Sequence, residues 1–199
     1  MTIPRFYVPG PWTSDRITFP EKASHHAMRV LRMRNGDEAE VFDGEGRTAR
    51  GRTEFSSEGT VLVAESYPEH GRESPLFITL AQAFVSPDKM EWITEKAVEA
   101  GASRIVFFPA ARSVTKLSGD KLTKRLEKLR ATAVSACEQC GRSRIPEIEA
   151  FVSAETMLSG LKADARVILA PSSDPGLALG AARSVVFAVG PEGGLYDDV

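Results

Sequence analysis

The stretch Val185-Val186-Phe187-Ala188-Val189-Gly190-Pro191-Glu192-Gly193-Gly194 restricts the fold more than any other. Five consecutive apolar residues give way, within five positions, to three glycines, a proline and a carboxylate. Such an uninterrupted run reads as a parallel strand buried on both faces, and so as part of an α/β sheet. A glycine turn at the carboxyl end of that strand lies where open α/β sheets bind ligands. Without Cβ atoms, its backbone admits a ligand at close range. The string is neither a G-x-G-x-x-G fingerprint nor a phosphate loop, and Pro191 removes a donor that a phosphate cradle would want. A neutral or zwitterionic ligand fits it better than a pyrophosphate. An ordinary strand-to-helix turn is the alternative.

The rest of the chain divides at residues 68–75, which carry two prolines and no apolar periodicity and read as a linker. Before it, short runs at Phe6–Val8, Ile17–Phe19, Glu38–Phe42, Thr48–Phe55 and Thr60–Tyr67 predict strands of a small barrel. Asp43-Gly44-Glu45-Gly46 marks a hairpin turn. One helix is expected from Ser24, as N-cap, to Met33, with Asn35-Gly36 ending it. After the linker, strands alternate with helices, which implies a parallel sheet. Strands are expected at Leu76–Phe84, Arg104–Phe108, Arg166–Leu169 and Val185–Val189. Helices are expected from Ser86 to Gly101, from Ser118 to Cys140, near Ser153–Leu161 and around Gly176–Ala182. The domains are thus read as 1–70 and 74–199. Leu169-Ala170-Pro171 opens a second loop at a strand end. If its strand neighbours Val185–Val189, the two loops flank one crevice.

At 42% hydrophobic and 26% charged, the composition is that of a globular protein. No apolar run approaches the roughly 20 residues of a membrane span. The amino terminus lacks the regions of a signal peptide. Two cysteines cannot form a disulfide scaffold, so a cytoplasmic protein is expected. A net charge of −2 hides segregation: residues 1–34 carry +4 and residues 112–144 carry +6. Two basic blocks in a near-neutral chain point to a polyanion-binding face, with solvated helix surface as the plain alternative.

Cys137-Glu138-Gln139-Cys140-Gly141-Arg142 invites a redox or zinc reading. A redox pair wants a helix amino terminus, where the dipole lowers the thiol pKa, whereas this pair lies at a helix carboxyl end. Zinc would need two more ligands. Core packing is therefore expected, with Cys140 on the apolar stripe of Leu122, Leu126, Leu129, Ala133 and Ala136. Glu138 points away from that stripe, and Arg142 at i+4 offers it a helix-end ion pair. Arginine forks such as Arg112 and Arg142 suit phosphate or a base oxygen. Arg29 and Arg32 at i, i+3 are candidate phosphate contacts. The adjacent His25 and His26 diverge by about 100° on a helix and do not suggest a metal site.

In order and spacing, these pieces resemble the RsmE family, bacterial 16S rRNA uridine-N3 methyltransferases of the SPOUT superfamily. The resemblance rests on Arg5-Phe6-Tyr7-Val8, His25-His26 with Val30-Leu31-Arg32, Phe42-Asp43-Gly44, Lys89-Met90-Glu91, Lys96 to Gly101, and Arg112-Ser113-Val114. Its strongest parts are Cys137 to Arg142 with Ile145-Pro146, and Gly190 to Gly194. The resemblance implies a PUA-like RNA-binding barrel ahead of a trefoil-knotted α/β methyltransferase domain, S-adenosylmethionine as the cofactor, and a homodimer. It implies 16S rRNA as partner, within the small ribosomal subunit, and neither membrane nor metal. The implied reaction is methyl transfer to N3 of a uridine whose pairing edge is exposed. The expected catalytic residues are Arg112, Glu138 and Arg142, with Glu138 or Glu192 as base and the arginines stabilising charge on the base oxygens. Leu169, Ala170, Pro171, Gly190, Pro191, Glu192, Gly193, Gly194 and Leu195 are expected to contact the cofactor. Arg29, Arg32, Lys116 and Arg144 are expected to contact RNA. The family pattern continues with a further strand and a second cofactor loop that this sequence lacks. The chain is therefore expected to be part of a longer protein, with its knot incomplete. A catalytically silent RNA-binding protein on the same scaffold is the rival, and a thiol-redox enzyme a third.

Overall fold

A computed structural model of the chain describes residues 3–57, 59–69, 73–113, 115, 117–169 and 179–191. The chain forms two compact units. One comprises Met1–Glu73 with Cys137–Ile145, the other Ser74–Ala136 with Pro146–Val199.

In the first unit, β1 (Arg5–Tyr7), β2 (Arg16–Thr18), β3 (Glu38–Phe42), β4 (Thr48–Ser56) and β5 (Gly59–Ser66) form one sheet in the order β1-β3-β4-β5-β2. The β1–β3 pairing is parallel and the others antiparallel. The period-2 pattern sets the faces: on β4, Ala49, Gly51 and Thr53 turn inward while Arg50, Arg52 and Glu54 turn out. Phe6, Val8, Ile17, Phe19, Val41 and Leu62 fill the core. No ladder joins β1 to β2 among the described residues. The expected barrel therefore has a seam bridged by side chains, with the Phe6 and Phe19 rings 5.1 Å apart. Gly51 marks a register shift on β4, where a Cβ would lie 1.9 Å from the Val63 carbonyl oxygen.

The helix of this unit departs from expectation. It begins earlier, as α1 (Glu21–His25) after Pro20, and passes at His26–Val30 into a π-helical turn. Ser24 is not its N-cap but a buried residue inside it. Arg32 then takes a left-handed φ of 53°. The i, i+3 relation expected between Arg29 and Arg32 requires a continuous α-helix and is lost here.

In the second unit, β6 (Phe77–Ala83), β7 (Arg104–Phe108), β8 (Glu147–Ala150), β9 (Ala165–Leu169) and β10 (Ser184–Val189) form a wholly parallel sheet in the order β8-β7-β6-β10-β9. The α/β class is as expected. The helices are α2 (Pro87–Glu99), α3 (Gly119–Cys140) and α4 (Ala154–Gly160). In α2, Pro87 takes the first turn, Met90, Thr94, Ala97 and Val98 are buried, and Gly101 at φ 90° stops the helix. Ser86 occupies its N-cap without a side-chain capping bond. Ser153 and Thr156 close a capping box on α4. Strand β8 was not expected. Its four residues Glu-Ile-Glu-Ala carry too little apolar pattern, and pairing with β7 orders them. Of the helix expected at Gly176–Ala182, residues 176–178 lie outside the described residues. Leu179–Ala182 make a turn closed by Ala182 N–H donating to the Leu179 carbonyl at 3.0 Å.

Candidate functional site

Strand register brings the two loop-bearing strands together. β9 and β10 are neighbours, and Leu169, Val189, Gln82, Phe107 and Ala150 fall in one row across the carboxyl edge of the sheet. The adjacency on which the expected crevice depends is therefore met, while the loops that would flank it lie outside the described residues. Gly190 leaves the row beside Ala83. Gln82 on β6, whose side chain is buried, ties that strand to the turn after β10. Its amide nitrogen donates to the Gly190 carbonyl at 3.3 Å and to the Ala83 carbonyl at 3.1 Å. Pro191 is buried, while Leu169 is half exposed at 50%. Ala170, Pro171, Glu192, Gly193, Gly194 and Leu195 lie outside the described residues. Gln82 escaped the sequence reading because one amide within an apolar strand has no local signature.

The donor set of this edge fits a cationic, largely apolar ligand. Leu169, Val189, Gln82 and Phe107 bring no cation, and Gln82 donates its side-chain N–H groups to the backbone carbonyls of Ala83 and Gly190. A positively charged sulfonium therefore meets no repulsive group from this row. Arg112 follows β7 in an exposed turn, which Ser113 closes: the Ala110 N–H donates to Ser113 Oγ at 3.1 Å.

Arg29, Arg32, Glu138, Arg142 and Arg144 belong to the first unit. Chain from the end of α3, Cys137–Ile145, is bound to the β1 strand and the β3–β4 turn. Arg5 donates to the Cys137 and Arg142 carbonyls, both at 3.3 Å, while pairing with Glu40 at 2.7 Å. The Tyr7 N–H donates to Glu138 Oε1 at 3.0 Å. Ile145 N–H donates to the Gly44 carbonyl, and Gly46 N–H to the Ser143 carbonyl. Gly44 sits at φ 87°, and a Cβ there would lie 3.0 Å from Ile145 and 3.1 Å from Tyr7.

At the centre of this segment is Glu73, which the sequence placed in a solvated linker. Its Oε2 accepts from Arg142 Nε at 3.1 Å and Nη2 at 2.8 Å. Its Oε1 accepts the backbone N–H groups of Ser143 and Arg144, each at 3.1 Å. The Arg142 side chain is 6% exposed. Burial pulls the Glu73 carboxyl up, but donation from Arg142, Arg144 and Ser143 outweighs it and holds the group below its ordinary value. The expected ion pair of Arg142 with Glu138 is thus replaced by one with a carboxylate 69 residues distant, a choice no local spacing reveals.

Cys137 is fully buried and its thiol donates to the Arg144 carbonyl at 3.6 Å. Burial pushes that thiol up to about 12, against the pull of Arg142. Cys137 packs in the core at the carboxyl end of α3, the setting of a structural rather than a reactive thiol. It is Cys137 rather than Cys140 that takes the buried position, because the stripe of Leu129, Ala133 and Ala136 drifts with the helical turn. Arg29, Arg32 and Arg144 are exposed, the last lying over Gly46, while Lys116 is outside the described residues. Among the described residues no group of three or more His, Cys, Asp or Glu is placed to hold a metal ion. No described helix is long and apolar enough to cross a membrane.

Comparisons with known proteins agree with this geometry. A family model for an RNA methyltransferase domain matches residues 72–198, and one for an RNA methyltransferase PUA domain matches residues 19–65. Ribosomal RNA small subunit methyltransferase E of Bacillus subtilis is 32% identical over 186 residues, covering 87% of this chain and 72% of the relative. The Mycobacterium tuberculosis protein of the same name is 32% identical over 185 residues, covering 87% and 69%. The crystal structure of the Neisseria gonorrhoeae enzyme, bound to S-adenosyl methionine, superposes with a TM-score of 0.86 at 28% identity, covering 98% of this chain and 83% of that one. With its PUA domain, its parallel sheet and relatives matched along most of its length, this chain belongs to the ribosomal RNA small subunit methyltransferase E family.

Proposed function

We propose that the chain methylates N3 of a uridine in 16S rRNA of the small ribosomal subunit, with S-adenosylmethionine as donor. The observation that carries this reading is the row Leu169–Val189–Gln82, which sets the ends of β9 and β10, from which the two loops leave, side by side at the carboxyl edge of a parallel sheet. The cofactor supplies an electrophilic methyl group on a good leaving group. Leu169, Gly190 and Pro191 line its site, and Gln82 holds the Gly190 carbonyl in place. Ala170, Pro171 and residues 192–195 complete it.

The chain's task is to present the uracil edge at near-attack distance and to handle one proton. Loss of the N3 proton spreads negative charge over the two uracil carbonyl oxygens. We assign Arg112, exposed after β7, to stabilise that charge, as an arginine fork suits a base oxygen. Glu138, one oxygen of which accepts the Tyr7 N–H, is one candidate to receive the proton, and Glu192 is the other. Arg142 contributes through Glu73, ordering the segment that carries Glu138. Arg29, Arg32, Lys116 and Arg144 contact RNA. The trefoil knot, the homodimer and a cytoplasmic setting belong to the same reading.

Calorimetry with S-adenosylmethionine should show binding, and small ribosomal subunits lacking the modification should accept one methyl group at a uridine. Arg112→Ala should suppress transfer while leaving cofactor affinity and melting temperature unchanged. Absence of cofactor binding by the wild-type protein would refute the reading.

A further inference from the structure

The turn at His26–Arg34 is built unlike the rest of its unit. Leu31 N–H donates to the His26 carbonyl and Met33 N–H to that of Ala27, both at 3.0 Å, so the helix is widened by a π turn. In an uninterrupted α-helix Leu31 would follow buried Ala27 at i+4 on the core face. The wide turn swings it out and brings Met33 against the core instead. Met28, Val30 and Leu31 are left 37%, 60% and 43% exposed. Arg32 adopts a left-handed φ that disfavours an L side chain. Wide turns and strained residues of this kind cluster at functional sites.

The charges differ as well. Arg5, Arg16, Arg50, Arg52 and Arg142 of this unit all pair with carboxylates. Lys22, Arg29, Arg32 and Arg34 have no ion pair among the described residues, and no acidic residue occurs between Glu21 and Asp37. Unneutralised cations interleaved with exposed apolar side chains match an unpaired polyanion, whose phosphates take the cations while the apolar side chains wedge against its bases.

We infer that this turn is a wedge for unpaired RNA: Met28, Val30 and Leu31 pack against splayed bases of the rRNA while Arg29, Arg32 and Arg34 hold the flanking phosphates. The inference rests on the rRNA reading above and adds to it the element that opens or holds the strand.

The test uses the whole chain, with 16S rRNA transcript and small ribosomal subunits as probes, between about 50 and 200 mM salt. Arg29→Ala, Arg34→Ala and Arg32→Gly should each lower the slope of log affinity against log salt by about 1. Arg32→Gly suits the left-handed backbone and should keep the melting temperature. The double variant Val30→Ser/Leu31→Ser should weaken binding at least about fivefold at every salt concentration with the slope unchanged. Wild-type affinity in the double variant, or full slope in the charge variants, overturns the wedge while leaving the methyltransferase reading intact. So does a loss confined to self-association in sedimentation, or to binding of phosphatidylserine vesicles. If the wild-type chain binds neither RNA probe, both readings fail.

Discussion

Replacing Glu73 by Ala should destabilise the first unit far more than loss of a linker carboxylate would. The substitution removes the carboxylate that accepts from Nε and Nη2 of Arg142, a side chain only 6% exposed, and with it the acceptor of two backbone N–H groups. Breaking a buried pair from one side costs about 3–5 kcal/mol. Glu73 is itself 22% exposed and Arg144 reaches solvent, so water recovers part of this. The lower end, about 3 kcal/mol, is expected, equivalent to about 12–24 °C in melting temperature for a unit of this size. Urea unfolding followed by Trp12 fluorescence, in a Trp92→Phe background, reads the first unit alone. Because the folded carboxyl lies below its ordinary value of 4.5, its stabilisation is complete above that value. It is lost as pH falls through the lowered folded value. The Ala variant should lack that acid-dependent loss. In a double-mutant cycle with Arg142→Met the two losses should not add. A loss below about 0.5 kcal/mol, the scale of exposed pairs, or strict additivity would refute the clasp.

Three further outcomes are expected. Gly51→Ala should abolish the fold of the first unit, since its Cβ would lie 1.9 Å from the backbone oxygen of Val63; circular dichroism and proteolysis check this, and a native-like protein would contradict the bulge. Cys137 should resist thiol reagents at pH 8 in the native protein, its thiol standing near 12, and should react only on unfolding. Gln82→Leu frees the Gly190 carbonyl and should weaken S-adenosylmethionine binding by about 1 kcal/mol in calorimetry, the net worth of a hydrogen bond, without shifting the unfolding midpoint of the first unit.

Local pattern reached far into this molecule. The apolar run at Val185–Val189 announced a parallel strand and the glycines its ligand edge, because burial on both faces leaves no room for alternation. Alternation on β4 and the stripe on α2 likewise follow from periods of two and 3.6. Pro87 and Gly101 bracket α2 by backbone geometry alone. Strand β8 escaped, since four residues carry no period. The π turn escaped because its bonds differ by a single position from those of an α-helix. Tertiary structure alone settled the neighbourhood of β9 and β10, the service of Gln82 to Gly190, and the return of Cys137–Ile145 to the amino-terminal unit. It also chose Glu73 as the partner of Arg142. Such pairings join residues far apart in sequence, and the energy that selects them comes from desolvation and burial, which exist only once the chain has folded.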